Sequence, residues 1–226
     1  YFIWEHENSA PDACNDSYNT TEDGVLTVGS GGILANDEDI DISLLYSVSL
    51  RDHLEVVAFD NMSFYGVRVE MGPDGSFIYD PRLVDDIQSL PEGGYLIDTF
   101  NYTVRDSWGE MSTGVVSINV SGMNDLVFPE DDHFATDEDT VLVVGAPGLL
   151  LNDTDPDQGA LLSVVSGTLI STYGAQVSIG SDGSFRFDPT ASSIIGALSR
   201  DDHLLDSFTY TVTDGMGSMG TATVYV

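Results

Sequence analysis

Six aspartates in two short loops are the residues of this chain whose type and spacing could do chemistry. Asp37, Asp39 and Asp41 alternate in NDEDID, and Asp153, Asp155 and Asp157 alternate in NDTDPD. Alternation along an extended or turning loop can aim several carboxylates at one point, which is what a hard cation seeking ~6–8 oxygens at ~2.3–2.6 Å requires. Magnesium would take fewer protein carboxylates and more water. Other chemistry finds little support. His6, His53, His133 and His203 show no HxH or HExxH spacing, and no serine sits in a GxSxG elbow. The Arg-Asp-His echoes at Arg51 to His53 and Arg200 to His203 are not repeat-equivalent, so coincidence or a loop ion pair accounts for them. The expectation is that the chain is not an enzyme.

Composition sets further bounds. Of the 226 residues 38 are acidic, 28 of those being Asp, against 6 basic residues, giving a net charge of -32. All six basic residues are Arg, which excludes a P-loop, a Schiff-base lysine and a lysine general base. Charge of this sign repels phosphate backbones, so no nucleic-acid partner is expected. A 42% hydrophobic content is enough for packed cores and argues against an acidic disordered tail. No apolar run approaches the ~20 residues of a membrane span, and no membrane insertion is expected. Cys14 is the only cysteine, which rules out an intrachain disulfide and a Cys-based zinc site.

The elements that must position these aspartates follow from a repeat. Residues 16–41, DSYNTTEDGVLTVGSGGILANDEDID, recur at 132–157 as DHFATDEDTVLVVGAPGLLLNDTDPD, an offset of 116. GPDGSFIYDP at 72–81 recurs at 180–189, and DTFNYTVRDSWG at 98–109 recurs at 206–217, both now offset by 108. The first copy therefore carries eight extra residues, placed as a longer loop or added hairpin around Arg51 to Tyr65. Apolar residues alternate with polar ones over short runs (Phe100, Tyr102, Val104 against Asn101, Thr103), which marks half-buried strands. Asp74-Gly75 and Asp182-Gly183 read as tight hairpin turns. About seven short strands per copy predict an all-β chain of two tandem antiparallel sandwiches, immunoglobulin-like in outline. The expected division is an N-terminal arm or tail of a preceding repeat over 1–14, one sandwich over 15–123 and a second over 124–226. Because the second copy stops on its last strand, the natural chain is expected to continue.

Strand parity assigns the acidic loops to ends. In a seven-strand sandwich the second-to-third and sixth-to-seventh connections lie at the pole where the chain enters. The first-to-second and fifth-to-sixth lie where it leaves. NDEDID and Asp106 then belong to the N-terminal pole of the first repeat, and Glu22, Asp23 and Asp98 to its C-terminal pole. The linker Asn124-Asp125 and the second N-terminal pole, with Asp153, Asp155, Asp157 and Asp214, are predicted to converge with that C-terminal pole on calcium.

These motifs carry a resemblance. An acidic first turn (Glu22-Asp23, Glu138-Asp139), an LANDEDID-type loop, a DGSFxYDP hairpin and a closing DSFTYTVTDG strand resemble the bacterial cadherin-like and VCBS-type tandem repeats of very large surface adhesins. The likeness runs from Asn8 onward, twice. It implies calcium-stiffened sandwiches in series, used as extenders or adhesive modules at the cell surface, with neighbouring repeats of the same chain, and a surface glycan or another adhesin, as partners. The acidic turn, the NDxDxD loop and the linker Asn-Asp match the pattern. The first copy departs from it at Ile40, where Pro is usual, and at Ser107-Trp108, where Gly follows the aspartate.

Other readings stand beside this one. Asp is a good turn residue, and a lysine-free acidic surface is also a salt adaptation. Trp108 and Tyr95 could form a sugar-stacking platform, making the chain a secreted carbohydrate-binding module, or could simply pack. Six of the nine Asn, at 15, 19, 61, 101, 119 and 152, stand in N-x-Ser/Thr triplets, which are glycan acceptors only in a eukaryotic secretory pathway.

Overall fold

The computed structural model describes residues 8–39 and 53–226; Asp41, His6 and Arg51 lie outside the described residues. The chain divides into two compact units, Tyr1–Met123 and Asn124–Val226.

Unit 1 contains β1 (Asp16–Thr21), β2 (Leu26–Val28), β3 (Glu55–Phe59), β4 (Val69–Met71), β5 (Phe77–Tyr79), β6 (Tyr95–Arg105) and β7 (Met111–Ser121), with a one-turn helix α1 (Asp85–Gln88). One sheet runs β1-β7-β6-β3 and the other β2-β5-β4. Burial alternates along β6 and β7, so Phe100, Tyr102, Val104, Val116, Ile118 and Val120 face the other sheet. Tyr18, Phe77 and Phe100 meet edge to face across that core.

Unit 2 repeats the plan with β8 (Asp132–His133), β9 (Leu142–Val144), β10 (Ser163–Val164), β11 (Gly167–Ile170), β12 (Gln176–Ile179), β13 (Phe185–Asp188), β14 (Ser207–Thr213) and β15 (Met219–Tyr225). Its sheets run β10-β14-β15-β8 and β11-β12-β13-β9, so the traverse that begins as β10 crosses to the opposite sheet as β11. Phe134, Phe185 and Phe208 form the matching aromatic trio.

The pairing is antiparallel except at one edge of each unit, where β1 lies parallel to β7 and β8 parallel to β15. Parity explains the exception: with an odd number of traverses the first and last run in the same direction, and here they are neighbours. Hydrogen bonds fix the poles of unit 1. Gly31 N and Ile33 N donate to Asp74 O and Gly75 O, so the β2–β3 and β4–β5 connections share the N-terminal pole. Glu22 N donates to Ser121 O and the Gln88 side chain to Glu22 O, which puts the β1–β2 loop, α1 and the end of β7 at the other.

One expectation changes, and one is borne out in more detail. The 108-residue offset already holds at Glu55, because Glu55 pairs with Arg105 as Ser163 does with Thr213, and Ser63 and Tyr65 occupy the places of Ser171 and Tyr173 against Asp98 and Asp206. The eight extra residues of the first copy therefore lie between Asp39 and Glu55, not around Arg51 to Tyr65. The Asp-Gly turns are three-residue loops: Gly72 N closes on Ser76 O and Gly180 N on Ser184 O, with Gly75 at φ 78° and Gly183 at φ 80°.

The surplus of N-x-Ser/Thr triplets also has a structural origin. Residues i and i+2 of a strand share a face. Asn19/Thr21, Asn119/Ser121 and Asn101/Thr103 all lie on the solvent side of the β1-β7-β6 sheet, with Asn19 opposite Asn119 and Thr103 opposite Thr113. An uncharged polar face written with period two generates the triplet as a by-product.

Candidate metal centres

At the N-terminal pole of unit 1 the incoming segment meets two loops. Asp12 and Glu38 form an isolated bridge, and Asn8 Nδ2 donates to Asp106 Oδ2 at 2.9 Å. Asp106 Oδ1 also caps the β6–β7 turn, accepting from the backbone N–H groups of Trp108, Gly109 and Glu110. Burial alone would raise the Asp106 pKa, but the Asn8 bond and these three amides outweigh it and hold the carboxyl below the usual range. Asp39 is buried beside them, 4% exposed.

Unit 2 builds the same pole more fully. Phe128 and Thr154 form the equivalent bridge, and the Asn124 side chain bonds Asp214. Asp214 Oδ1 caps the β14–β15 turn through Met216, Gly217 and Ser218. Asp125 N donates to Asp157 Oδ2 at 3.0 Å and Asp157 N to Asp155 Oδ1 at 2.9 Å. Asp155 feels the negative charges of Asp157 and Asp214, and burial raises its pKa first of all. Asp155 Oδ2, Asp157 Oδ1 and Asp214 Oδ2 are buried without a hydrogen-bond partner. Orphaned acceptors of this kind fit a cation that takes oxygen ligands. Among the described residues no three acidic, His or Cys side chains close into a finished metal site.

The other sequence-predicted positions go elsewhere. Asp98 is removed from the ligand set: Ser63 Oγ and Tyr79 Oη donate to its Oδ2, and Tyr65 N and Thr99 N to its Oδ1. Four donors use the lone-pair directions a metal would need. Asp206 makes the equivalent bracket with Ser171, Tyr173 and Ser207. Glu22 is fully buried at the C-terminal pole of unit 1, where Met123 N donates to it. Asp23 is exposed on the same loop near Arg82. Glu138 lines a cavity at the C-terminal pole of unit 2 together with Phe134, Leu198, Asp202 and His203. Asp37 and Asp153 turn away from the pole and pack instead on Tyr102 and Tyr210. Sequence reasoning missed Asn8, Asp16 and Asp132. Only the repeat offset could have found Asn8, as the counterpart of Asn124. Trp108 stands 77% exposed on its turn and Tyr95 68% exposed on β6.

Among the described residues no helix is long and apolar enough to cross a membrane. A family model described as "Bacterial cadherin-like domain" matches residues 8–122 and again 124–226. No curated protein matches the chain in sequence. Similar solved structures are cadherin ectodomains. The protocadherin gamma-B4 extracellular domain is 13% identical with a TM-score of 0.46, the match covering 96% of this chain and 34% of that one. Human CDH23 EC21-23 is 14% identical with a TM-score of 0.48, covering 96% and 68%. Human mucin-like protocadherin EC1-2 is 14% identical with a TM-score of 0.46, covering 93% and 94%. The chain thus spans about a third of the length of the first of these relatives.

Proposed function

Because the chain belongs to the bacterial cadherin-like domain family over both of its units, we propose that it is a calcium-binding, calcium-stiffened extender or adhesion module of a large extracellular cell-surface protein, with no enzymatic activity of its own. The observation that carries this reading is the set of buried, partnerless oxygens on Asp155, Asp157 and Asp214 beside Asn124 and Asp125. In unit 1 Asn8, Asp39 and Asp106 take the equivalent places, and Glu22 supplies a carboxylate at the opposite pole. A bound ion would supply the positive charge that a chain of net charge -32 lacks. It would hold each N-terminal segment against the two loops it already touches. Neighbouring repeats of the same chain are the first partners to expect.

The test is metal analysis of the purified chain with melting and solution scattering in millimolar calcium and in chelator. Bound calcium, a raised melting point and a narrower distribution of shapes in calcium support the reading. Identical curves in both conditions with no metal bound overturn it.

A second reading has its own observation in the exposed ring of Trp108; Tyr95 opens β6 at the far end of that strand and does not join it in the platform expected from the sequence. A neutral glycan stacked there would make unit 1 a carbohydrate-binding module, and a glycan-array signal lost in Trp108→Ala would establish it.

A further inference from the structure

Each unit contains a second oxygen cluster, deeper than the loops of the N-terminal pole and built around a tyrosine hydroxyl. In unit 1 Tyr102 Oη lies 2.6 Å from Cys14 O and 3.0 Å from Asp37 Oδ1, and Asp16 at the start of β1 also reaches it. In unit 2 Tyr210 Oη lies 3.0 Å from Leu149 O and 3.2 Å from Glu130 O. The two carboxylate oxygens of Asp153 are 3.2 and 3.3 Å away, with Asp132 also in reach.

Counting donors exposes a deficit. A phenol carries one proton and can satisfy one acceptor at a time. Among the described residues the other donors to Asp37 and Asp153 are single backbone amides, from Cys14 and Glu130 respectively, and Asn36 also reaches Asp16. Asp16 Oδ2, Asp37 Oδ2 and Asp132 Oδ2 are buried without a partner. Asp16 is 8% exposed and Asp132 7%. Among the described residues no guanidinium answers them, the ion pairs falling on Glu70, Asp80, Glu55 and Asp188. Paired carboxylates buried without a counter-charge are costly, and either a proton or a cation must supply the missing positive charge. A shared proton would serve the carboxylates alone. The backbone carbonyls gathered at the same point compete with the carboxylates for the one phenol proton, Glu130 O having Asn152 Nδ2 besides, and a cation would take carbonyls and carboxylates together.

We infer that each repeat binds a second hard cation inside the sandwich, held by Asp16 and Asp37 with Cys14 O in unit 1, and by Asp132 and Asp153 with Glu130 O and Leu149 O in unit 2. An all-oxygen donor set of this kind suits calcium rather than zinc or copper. The site uses residues separate from Asp39 and Asp106 and from Asp155, Asp157 and Asp214, and it lies wholly within one repeat. It ties the first strand of each repeat to the β2–β3 or β9–β10 connection and to the long strand that carries the tyrosine. It shares with the proposed function only the class of ion.

Terbium, a calcium surrogate excited through nearby tyrosine, tests this on the 226-residue chain. Asp16→Asn with Asp132→Asn is expected to lower tyrosine-sensitised emission several-fold and to reduce bound calcium by one ion per repeat. Asp157→Asn with Asp214→Asn should leave that emission in place while weakening the calcium-dependent rise in melting point. Tyr102→Phe with Tyr210→Phe should lose emission but keep the bound calcium, which covers the case in which the aspartate variants do not fold. Emission unchanged in Asp16→Asn/Asp132→Asn, or lost instead in Asp157→Asn/Asp214→Asn, overturns the inference. So does a gain in stability from Asp16→Asn that is equal in calcium and in chelator, because that identifies a shared proton.

Discussion

A Cβ built on Gly183 would lie 1.9 Å from the carbonyl oxygen of Pro147. Its repeat equivalent Gly75 has nearly the same φ, but its Cβ would meet the Leu34 side chain at 2.9 Å. The left-handed backbone alone costs an alanine ~1–2 kcal/mol at either position. A side chain can swing aside and a backbone carbonyl cannot. Gly183→Ala is therefore expected to destabilise unit 2 by at least ~2 kcal/mol more than Gly75→Ala destabilises unit 1, read from urea unfolding of both variants.

Asp98 and Asp23 give opposite outcomes although they lie near the same pole. Asp98→Ala strands four donors, and each buried donor left unsatisfied costs ~1–3 kcal/mol, so unit 1 should lose ~3 kcal/mol or more. Asp23→Ala, on the surface, should shift stability by less than ~0.5 kcal/mol. Both effects should be the same in calcium and in chelator, and a calcium-dependent Asp98 effect would return that residue to the ligand set.

Asp155→Ala or Asp157→Ala should lower the melting point of unit 2 in millimolar calcium. In chelator either substitution should leave it unchanged or raise it slightly, since a repelling carboxylate has been removed. Differential scanning calorimetry in the two buffers checks this, and a loss of equal size in both would assign these residues to the turn alone.

Acidity should act in the metal-free state through Asp16. Burial first, then the negative charge of Asp37, pushes its carboxyl up to about 6 against hydrogen bonds from Tyr102 and Asn36. A carboxyl raised on folding binds its proton more tightly in the native state. Its contribution therefore falls as pH climbs from about 4 through about 6. In chelator unit 1 should melt higher at pH 5 than at pH 7.5, and Asp16→Asn should remove much of that difference. Melting curves that do not separate between the two genotypes would contradict it.

The repeat made most of the fold legible. Two offsets, alternation at Phe100 to Val104 and an odd strand count suffice to put Asp39 and Asp106 at one pole and Glu22 at the other, as the hydrogen bonds do. The failures share a cause. Asp98 and Asp37 stand in polar runs next to turns, and nothing in a run of letters separates a carboxylate aimed at solvent from one bracketed by Ser63 or reached by Tyr102. Those partners lie dozens of residues away. The eight-residue difference between copies was misplaced because the segment between Asp41 and Gly72 repeats only in scattered letters, such as Val56-Val57 with Val164-Val165 and Tyr65-Gly66 with Tyr173-Gly174, whereas the shared Ser63 and Tyr65 bonds fix the frame.

The parallel edge of unit 1 has a mechanical meaning. Six consecutive register pairs, Asp16–Val116 to Thr21–Ser121, join the strand by which the chain arrives to the strand by which it departs. Tension on the two ends pulls these neighbours along their own axes in opposite senses. All their bonds are then sheared together rather than peeled one after another. A repeat held in this way resists stretching up to a sharp threshold and then yields at once.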